Sequence, residues 1–125
     1  MIENLKIYHD KCKQQVMNIL DTFKTCIYHI RDKKGMIIGT LFASKEDLGI
    51  FVGWSKCNPI DRFNRSVSIL KAYQKTASIG DWMKNKEDNR VWVDGTIIPK
   101  EVRKHLPEFV ERVSRRFNKE GEKLV

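Results

Sequence analysis

Apolar residues recur at steps of three and four from about residue 3 to residue 24, where Leu5, Tyr8, Cys12, Val16, Ile19, Leu20 and Phe23 make one helical stripe. Lys6, Lys11, Lys13 and Gln14 fall on the other face, so this first helix is expected to lie on the surface with the stripe packed inward. The period then shortens. TCIYHIR and MIIGTLF, rich in β-branched and aromatic residues, flank the polar Asp32-Lys33-Lys34-Gly35, which predicts a hairpin. A second polar break at residues 44–47 leads into LGIFVGWS, whose Ile50, Phe51, Val52 and Trp54 suit a third strand of the same antiparallel meander. Gly39, Gly49 and Gly53 mark bulges or close backbone contacts.

Beyond the meander, Cys57-Asn58-Pro59-Ile60-Asp61 reads as a helix start, because asparagine caps free N–H groups, proline suits the first helical position and aspartate favours the first turn. This middle helix is expected to reach about Ala77, with Phe63, Val67, Leu70 and Tyr73 or Gln74 at helical spacing. Residues 78–90 predict a loop or one short helical turn, and VWV and TII around Asp94-Gly95 a small hairpin or a single strand with a turn. Val102, Leu106, Phe109, Val110, Val113 and Phe117 make a last helical stripe, interrupted by Pro107, where either a kink or a fresh helix is expected, two abutting helices being the favoured reading. The fold class is therefore α+β: an antiparallel β-meander packed with N-terminal, middle and C-terminal helices, in a single ligand-binding domain over 1–125.

Composition narrows the function classes. An apolar fraction of 41% with 12 aromatic residues supports a packed core, and 24 basic against 16 acidic residues give a net charge of +8, which favours anionic partners. Cys12, Cys26 and Cys57 lie far apart with no CxxC pair and no histidine at ligand spacing, so neither a disulfide framework nor a metal site is expected. No apolar run approaches the ~20 residues of a membrane helix, and the cytoplasm is the expected compartment. The chain contains no Walker loop, GxGxxG, HExxH or GxSxG, so catalysis has no signature and no cofactor is expected. A rival reading makes Cys57 a nucleophile with His29 or His105 as base; a small packed cysteine is the simpler account.

Placement of the basic residues says more than their number. Arg62 and Arg65 fall near the start of the middle helix beside Phe63, an arrangement that suits a phosphate, although Asp61, Glu46 and Asp47 offer surface ion pairs instead. On the last helix Arg112 and Arg116 share a face, Arg115 and Lys119 the adjacent one, and Arg103 and Lys104 extend the charge upstream. Arginine's planar fork grips phosphate in a bidentate way, while Glu108, Glu111 and Glu120 lie close enough to neutralise the same face. For stacking on a base, Trp82 in the polar segment is the expected platform, whereas Trp92, between valines, reads as core.

With KCNPIDRFNRSVSILKAYQKTA after a meander and IPKEVRKHLPEFVERVSRRFNKE at the end, most of the chain resembles the first type of phage Thoeris anti-defence protein. The resemblance implies a phage protein that sequesters cyclic nucleotide signals, chiefly glycocyclic ADP-ribose isomers made by TIR-domain enzymes, without cleaving them. It also implies a homodimer or a trimer of dimers with pockets at protomer contacts, and capture of cyclic oligonucleotides by some members. Arg112, Arg115 or Arg116 matches the family's phosphate-binding position in type, and Arg62 and Arg65 match its basic helix start; residues 78–96 match no family pattern.

The expected ligand-binding set is thus Arg62, Arg65, Phe63, Trp82, Arg103, Arg112, Arg115 and Arg116, with no enzymatic activity, no membrane and no obligatory nucleic acid. The alternative is a basic phage nucleic-acid-binding protein, or an inhibitor of a host nucleic-acid-processing complex, using the same basic faces as an open groove.

Overall fold

A computed structural model describes the backbone of residues 2–57, 62–85, 87 and 90–123, and their side chains except at 2, 3 and 119–123. Helix α1 (Ile2–Thr22) leads into strands β1 (Lys24–Arg31), β2 (Ile37–Glu46) and β3 (Gly49–Lys56), followed by helix α2 (Arg65–Gln74), the two-residue strand β4 (Ala77–Ser78), and helices α3 (Ile79–Lys84), α4 (Lys100–Arg103) and α5 (Leu106–Lys123). The strands form one antiparallel sheet in sequence order, β1-β2-β3-β4. The protein is α+β, as its pattern of apolar positions predicts, with α1 and α2 on one face of the meander and α4 and α5 on the other.

Strand alternation sorts the side chains between the two faces. Ile27 and Phe42 meet Val16 and Ile19 of α1 and Ile69 and Ala72 of α2. On the opposite face Ile30, Leu41, Ala43, Val52 and Trp54 meet Val102, Leu106, Phe109, Val110, Val113 and Phe117, so the whole C-terminal stripe is core. β2 is therefore buried on both faces, and its sequence reads as a nearly continuous apolar and small-residue run.

Local chemistry sets the connections. Asp32 closes the β1–β2 turn by accepting hydrogen bonds at Oδ1 from the Lys34 and Met36 amides, each 2.9 Å, and Gly35 takes φ 84°. The register between β1 and β2 shifts at Ile30/Arg31, opposite Gly39 and Ile37, which is a bulge of the kind Gly39 predicts. Gly53 lies where β3 crosses α2: a Cβ there would overlap the carbonyl oxygen of Ala72, so only glycine permits this approach.

Three expectations change. The middle helix starts later than the Cys57-Asn58-Pro59 reading and ends sooner, at Gln74, because Asn64 is its cap: extended at φ −127°, ψ 119°, it accepts a 3.0 Å bond from the Val67 amide. Asn58, Pro59 and Asp61 lie outside the described residues, and Arg62 and Phe63 precede the helix. The segment after it takes the short-helix alternative and adds a strand: β4 pairs with β3, and Ser78 caps α3 by accepting from Asp81 N at 3.0 Å. Trp82, expected exposed, is buried at 7% exposure, because α3 turns its indole into the C-terminal core. The expectation at Pro107 holds: α4 and α5 abut, and the proline falls in the first turn of α5, where a missing N–H costs no helical bond. Val91 bridges Ile97 across the Asp94-Gly95 turn, with Gly95 at φ 88°. No helix among the described residues is long and apolar enough to cross a membrane.

Candidate functional site

A cavity of about 580 Å³ lies between the N-terminal half of α1, the end of β3 and the start of α2. Ligand pockets commonly hold ~300–1,000 Å³. The positions follow from the fold: β3 and the residue after it deliver Ser55, Lys56 and Cys57, the two residues before the Asn64 cap are Arg62 and Phe63, and successive turns of α2 deliver Ser68 and Lys71. Leu5, Tyr8 and His9 of α1 close the remaining side.

The apolar stripe of α1 thus has two roles. Cys12, Val16 and Ile19 are buried, whereas Leu5 and Tyr8 are 56% and 48% exposed and wall the cavity. A stripe at helical spacing does not reveal where the surface it covers ends, so the sequence alone predicts all of it as inward-packed.

Hydroxyl groups make the floor. Ser55 Oγ donates to the Ser68 carbonyl at 2.8 Å and lies 3.1 Å from Ser68 Oγ, which is 2.5 Å from Thr40 Oγ1. Thr40 Oγ1 in turn is 2.9 Å from His29 Nδ1. Thr40, Ser55 and Ser68 are all buried, and in this chain they satisfy one another, where a lone buried hydroxyl would be costly. The close crossing at Gly53 is what brings β3 and α2 near enough for the Ser55–Ser68 contact.

At the inner end of that chain, His29 packs edge-on against Phe63, ring centres 5.5 Å apart. Burial lowers the pKa of His29 below its ordinary 6.5, and the positive charges of Arg65 and Arg31 lower it further. Its Nε2 is buried without a hydrogen-bond partner among the described residues, which a neutral ring tolerates better than an imidazolium. Neutral His29 leaves the positive charge at the cavity to Lys56, Arg62 and Lys71. Lys56 meets Glu101 at 3.4 Å with both side chains well exposed, whereas Arg62 and Lys71 form no ion pair among the described residues.

A second cavity of about 400 Å³ adjoins the first, sharing Ser55, Lys56 and Lys71 in its wall and adding Trp54, Gln74, Lys75 and Asp94. It lies along the edge of β3 beyond the last residue that β4 covers. The Lys75 ammonium sits 4.5 Å from the centre of the Trp54 ring. Trp54 is 6% exposed, and its Nε1 is buried with no acceptor among the described residues, at a cost of about 1–3 kcal/mol. Asp94 directs Oδ1 to Thr96, accepting from its hydroxyl at 2.7 Å and its amide at 3.0 Å; these bonds hold the carboxyl pKa below its ordinary value.

The residues singled out in the sequence fall in separate places. Arg62 and Phe63 are together in the large cavity. Arg65, the first residue of α2, is exposed and acts on His29 electrostatically. Trp82 and Arg103 meet across a crevice of about 10 Å³ on the opposite face of the sheet. Arg112 lies 3.6 Å from Glu108 and over the Tyr28 ring at 5.8 Å, beside His105, also on that face. Arg115 lies 4.0 Å from Glu111, and Arg116 is exposed on the same helix. The side chains of Lys119 and Glu120 lie outside the described residues.

Within one chain, then, the α5 arginines do not converge with Arg62, and two of the three have glutamate neighbours of the kind the sequence warns of. What the sequence reading missed is the lysine set, Lys56, Lys71 and Lys75. Lys71 lies in the last turn of α2 and Lys75 caps its C-terminal end, but only the fold brings β3 and Lys56 beside them.

For the rival nucleophile, Cys57 lines the large cavity, but His105 packs on Tyr28 across the sheet and His29 Nδ1 is engaged with Thr40. Among the described residues no group of three histidine, cysteine or acidic side chains could hold a metal ion. Compared with protein-family models, with curated proteins and with solved structures, the chain matches none.

Proposed function

We propose that this protein is a binding module that captures a phosphate-bearing nucleotide between α1, α2 and β3. In line with its resemblance to the first type of Thoeris anti-defence protein, it serves a phage in the host cytoplasm by sequestering TIR-derived cyclic ADP-ribose signals, glycocyclic isomers among them, without cleaving them. The observation that carries the reading is the large cavity itself, which joins Arg62, Lys56 and Lys71 to two aromatic rings, Tyr8 and Phe63, over a hydroxyl floor.

The chemistry fits holding better than turnover. Cations bind phosphate, a ring face accepts a base, and the floor hydroxyls satisfy each other, so none is set up as a nucleophile with a free base. Charge-assisted hydrogen bonds contribute roughly 1.5–3 kcal/mol each, so two or three of them plus one stacked base offset the entropy of capture. Leu5 and Tyr8, which wall the cavity from α1, are themselves exposed. A homodimer or trimer of dimers, which the resemblance implies, would enclose it there.

The test is to purify the protein from cells expressing a TIR cyclase, release what it holds by heating, and identify that by mass spectrometry. An intact cyclic ADP-ribose isomer is expected, and Arg62→Ala should retain much less of it. Recovery of a cleaved product would instead make the protein an enzyme. Affinity that climbs with strand length and falls steeply with salt would make it a nucleic-acid binder.

A further inference from the structure

We propose that the floor of the large cavity is polarised, offering hydrogen-bond acceptors alone, and that it selects the ligand's ribose by its free hydroxyls while the phosphate stays at the mouth. This assignment rests on the reading of the cavity as a nucleotide site, and adds which end of the nucleotide enters and what that end must donate. Proton counting along the hydroxyl chain carries it. Ser55 Oγ donates its one proton to the Ser68 carbonyl, so in its 3.1 Å contact with Ser68 Oγ it can only accept. Ser68 spends its proton there and accepts from Thr40 Oγ1; Thr40 spends its own on Ser68 and accepts from His29 Nδ1. No other arrangement makes every contact of the chain a hydrogen bond. The neutral His29 ring therefore carries its proton on Nδ1. Its Nε2, buried with no partner among the described residues, is then a bare lone pair and not an unmet N–H.

Two members of the chain, Ser55 and Ser68, line the cavity, and the bonds between them show that Ser55 turns its side chain to the α2 face of β3, where the cavity lies. A hydroxyl oxygen has two lone pairs. In each serine one of them receives a proton from within the chain and one is left, and neither serine has an O–H to give. A phosphate oxygen, itself an acceptor, finds no donor on this floor, whereas a sugar hydroxyl finds an acceptor. Depth agrees with this polarity: Ser55 and Ser68 are more than nine-tenths buried, while Arg62 and Lys71 in the same wall are exposed, so the cations stand at the mouth and the acceptors at the bottom. In a nucleotide the ribose joins base to phosphate. With the base against Tyr8 or Phe63 and the phosphate on Arg62 and Lys71, the ribose is the part left to the serines.

The experiment has two arms, both on the full chain. Nitrogen-15 NMR of histidine-labelled protein well above pH 6.5, with the signal assigned by its loss in His29→Gln, should show the His29 proton on Nδ1, the opposite of the form that a histidine ring in water prefers. Thr40→Val, which removes the ring's partner, should shift the proton toward Nε2. Calorimetric titration of the wild type with AMP and with 2′,3′-dideoxy-AMP should give binding about tenfold tighter for AMP, the value of one or two neutral hydrogen bonds. In the double variant Ser55→Ala, Ser68→Ala, checked for folding by thermal unfolding, the two affinities should converge; if that variant unfolds, the two wild-type results decide. A wild-type proton on Nε2, equal binding of the two nucleotides by the wild type, or a preference for AMP that survives in the folded double variant overturns the polarised floor. The large cavity then stands as a nucleotide site provided that Arg62→Ala weakens AMP. If neither nucleotide binds the wild type, both assignments fall.

Discussion

Alanine at Gly53 would place a methyl group onto the carbonyl oxygen of Ala72, where β3 runs close under the backbone of α2. The obstacle is a helix carbonyl and cannot rotate aside as a side chain would; the Thr76 methyl crowds the same position. Relief therefore requires α2 to lift from the sheet, which loosens Ile69 and Ala72 in the core and pulls Ser68 Oγ away from Ser55 and Thr40. Overpacking typically costs 1–3 kcal/mol, and with a rigid partner and a buried hydroxyl chain pulled apart the upper end, about 3 kcal/mol, is expected. For a domain of this size that is a fall in Tm of roughly 10 °C. Urea unfolding followed by circular dichroism gives the free energy directly, and the fraction of nucleotide retained should fall with it, because α2 carries Lys71 into both cavities. A Gly53→Ala protein within about 0.5 kcal/mol of wild type would show that β3 and α2 are not locked together here, and the account of the site's geometry would fail with it.

Further outcomes follow from the same structure. His29 titrates below its ordinary 6.5, so the folded chain binds fewer protons than the unfolded one once the pH drops beneath that value; stability should be full above pH 6.5, decline as the pH falls toward the folded pKa and level off below it. Chemical denaturation across that window should show the slope in the wild type, and an unchanged slope in His29→Gln would refute the assignment. Phe109→Ala, at a residue 4% exposed in the larger core, should cost ~3–5 kcal/mol by the same assay. Arg112→Ala and Arg115→Ala should each alter stability by less than about 0.5 kcal/mol, since both ion pairs are exposed. If the two also reduce nucleotide capture as strongly as Arg62→Ala, the ligand is held at a contact between chains and not within one.

Sequence periodicity by itself determined the layers. The β-branched and aromatic runs of the three long strands, the helical spacing in α1 and α5 and the proline at 107 can each be read from one short stretch of sequence. Gly53 was legible as a close approach for the same reason, and so were Arg62 and Phe63 as neighbours in one site. The start of α2 is misread from Asn58 because Asn64, the residue that caps it, is of the same type and capping preference does not rank the two. Trp82 misled because exposure belongs to what packs above a residue, and α5, which helps to bury it, comes more than twenty residues later. The same holds for the site as a whole: its cations come from β3, the segment before α2, and α2, and its rings from α1 and that same segment. Only the crossing of sheet and helices sets them around one space, because a cavity is a property of elements distant in the chain and no local spacing encodes it.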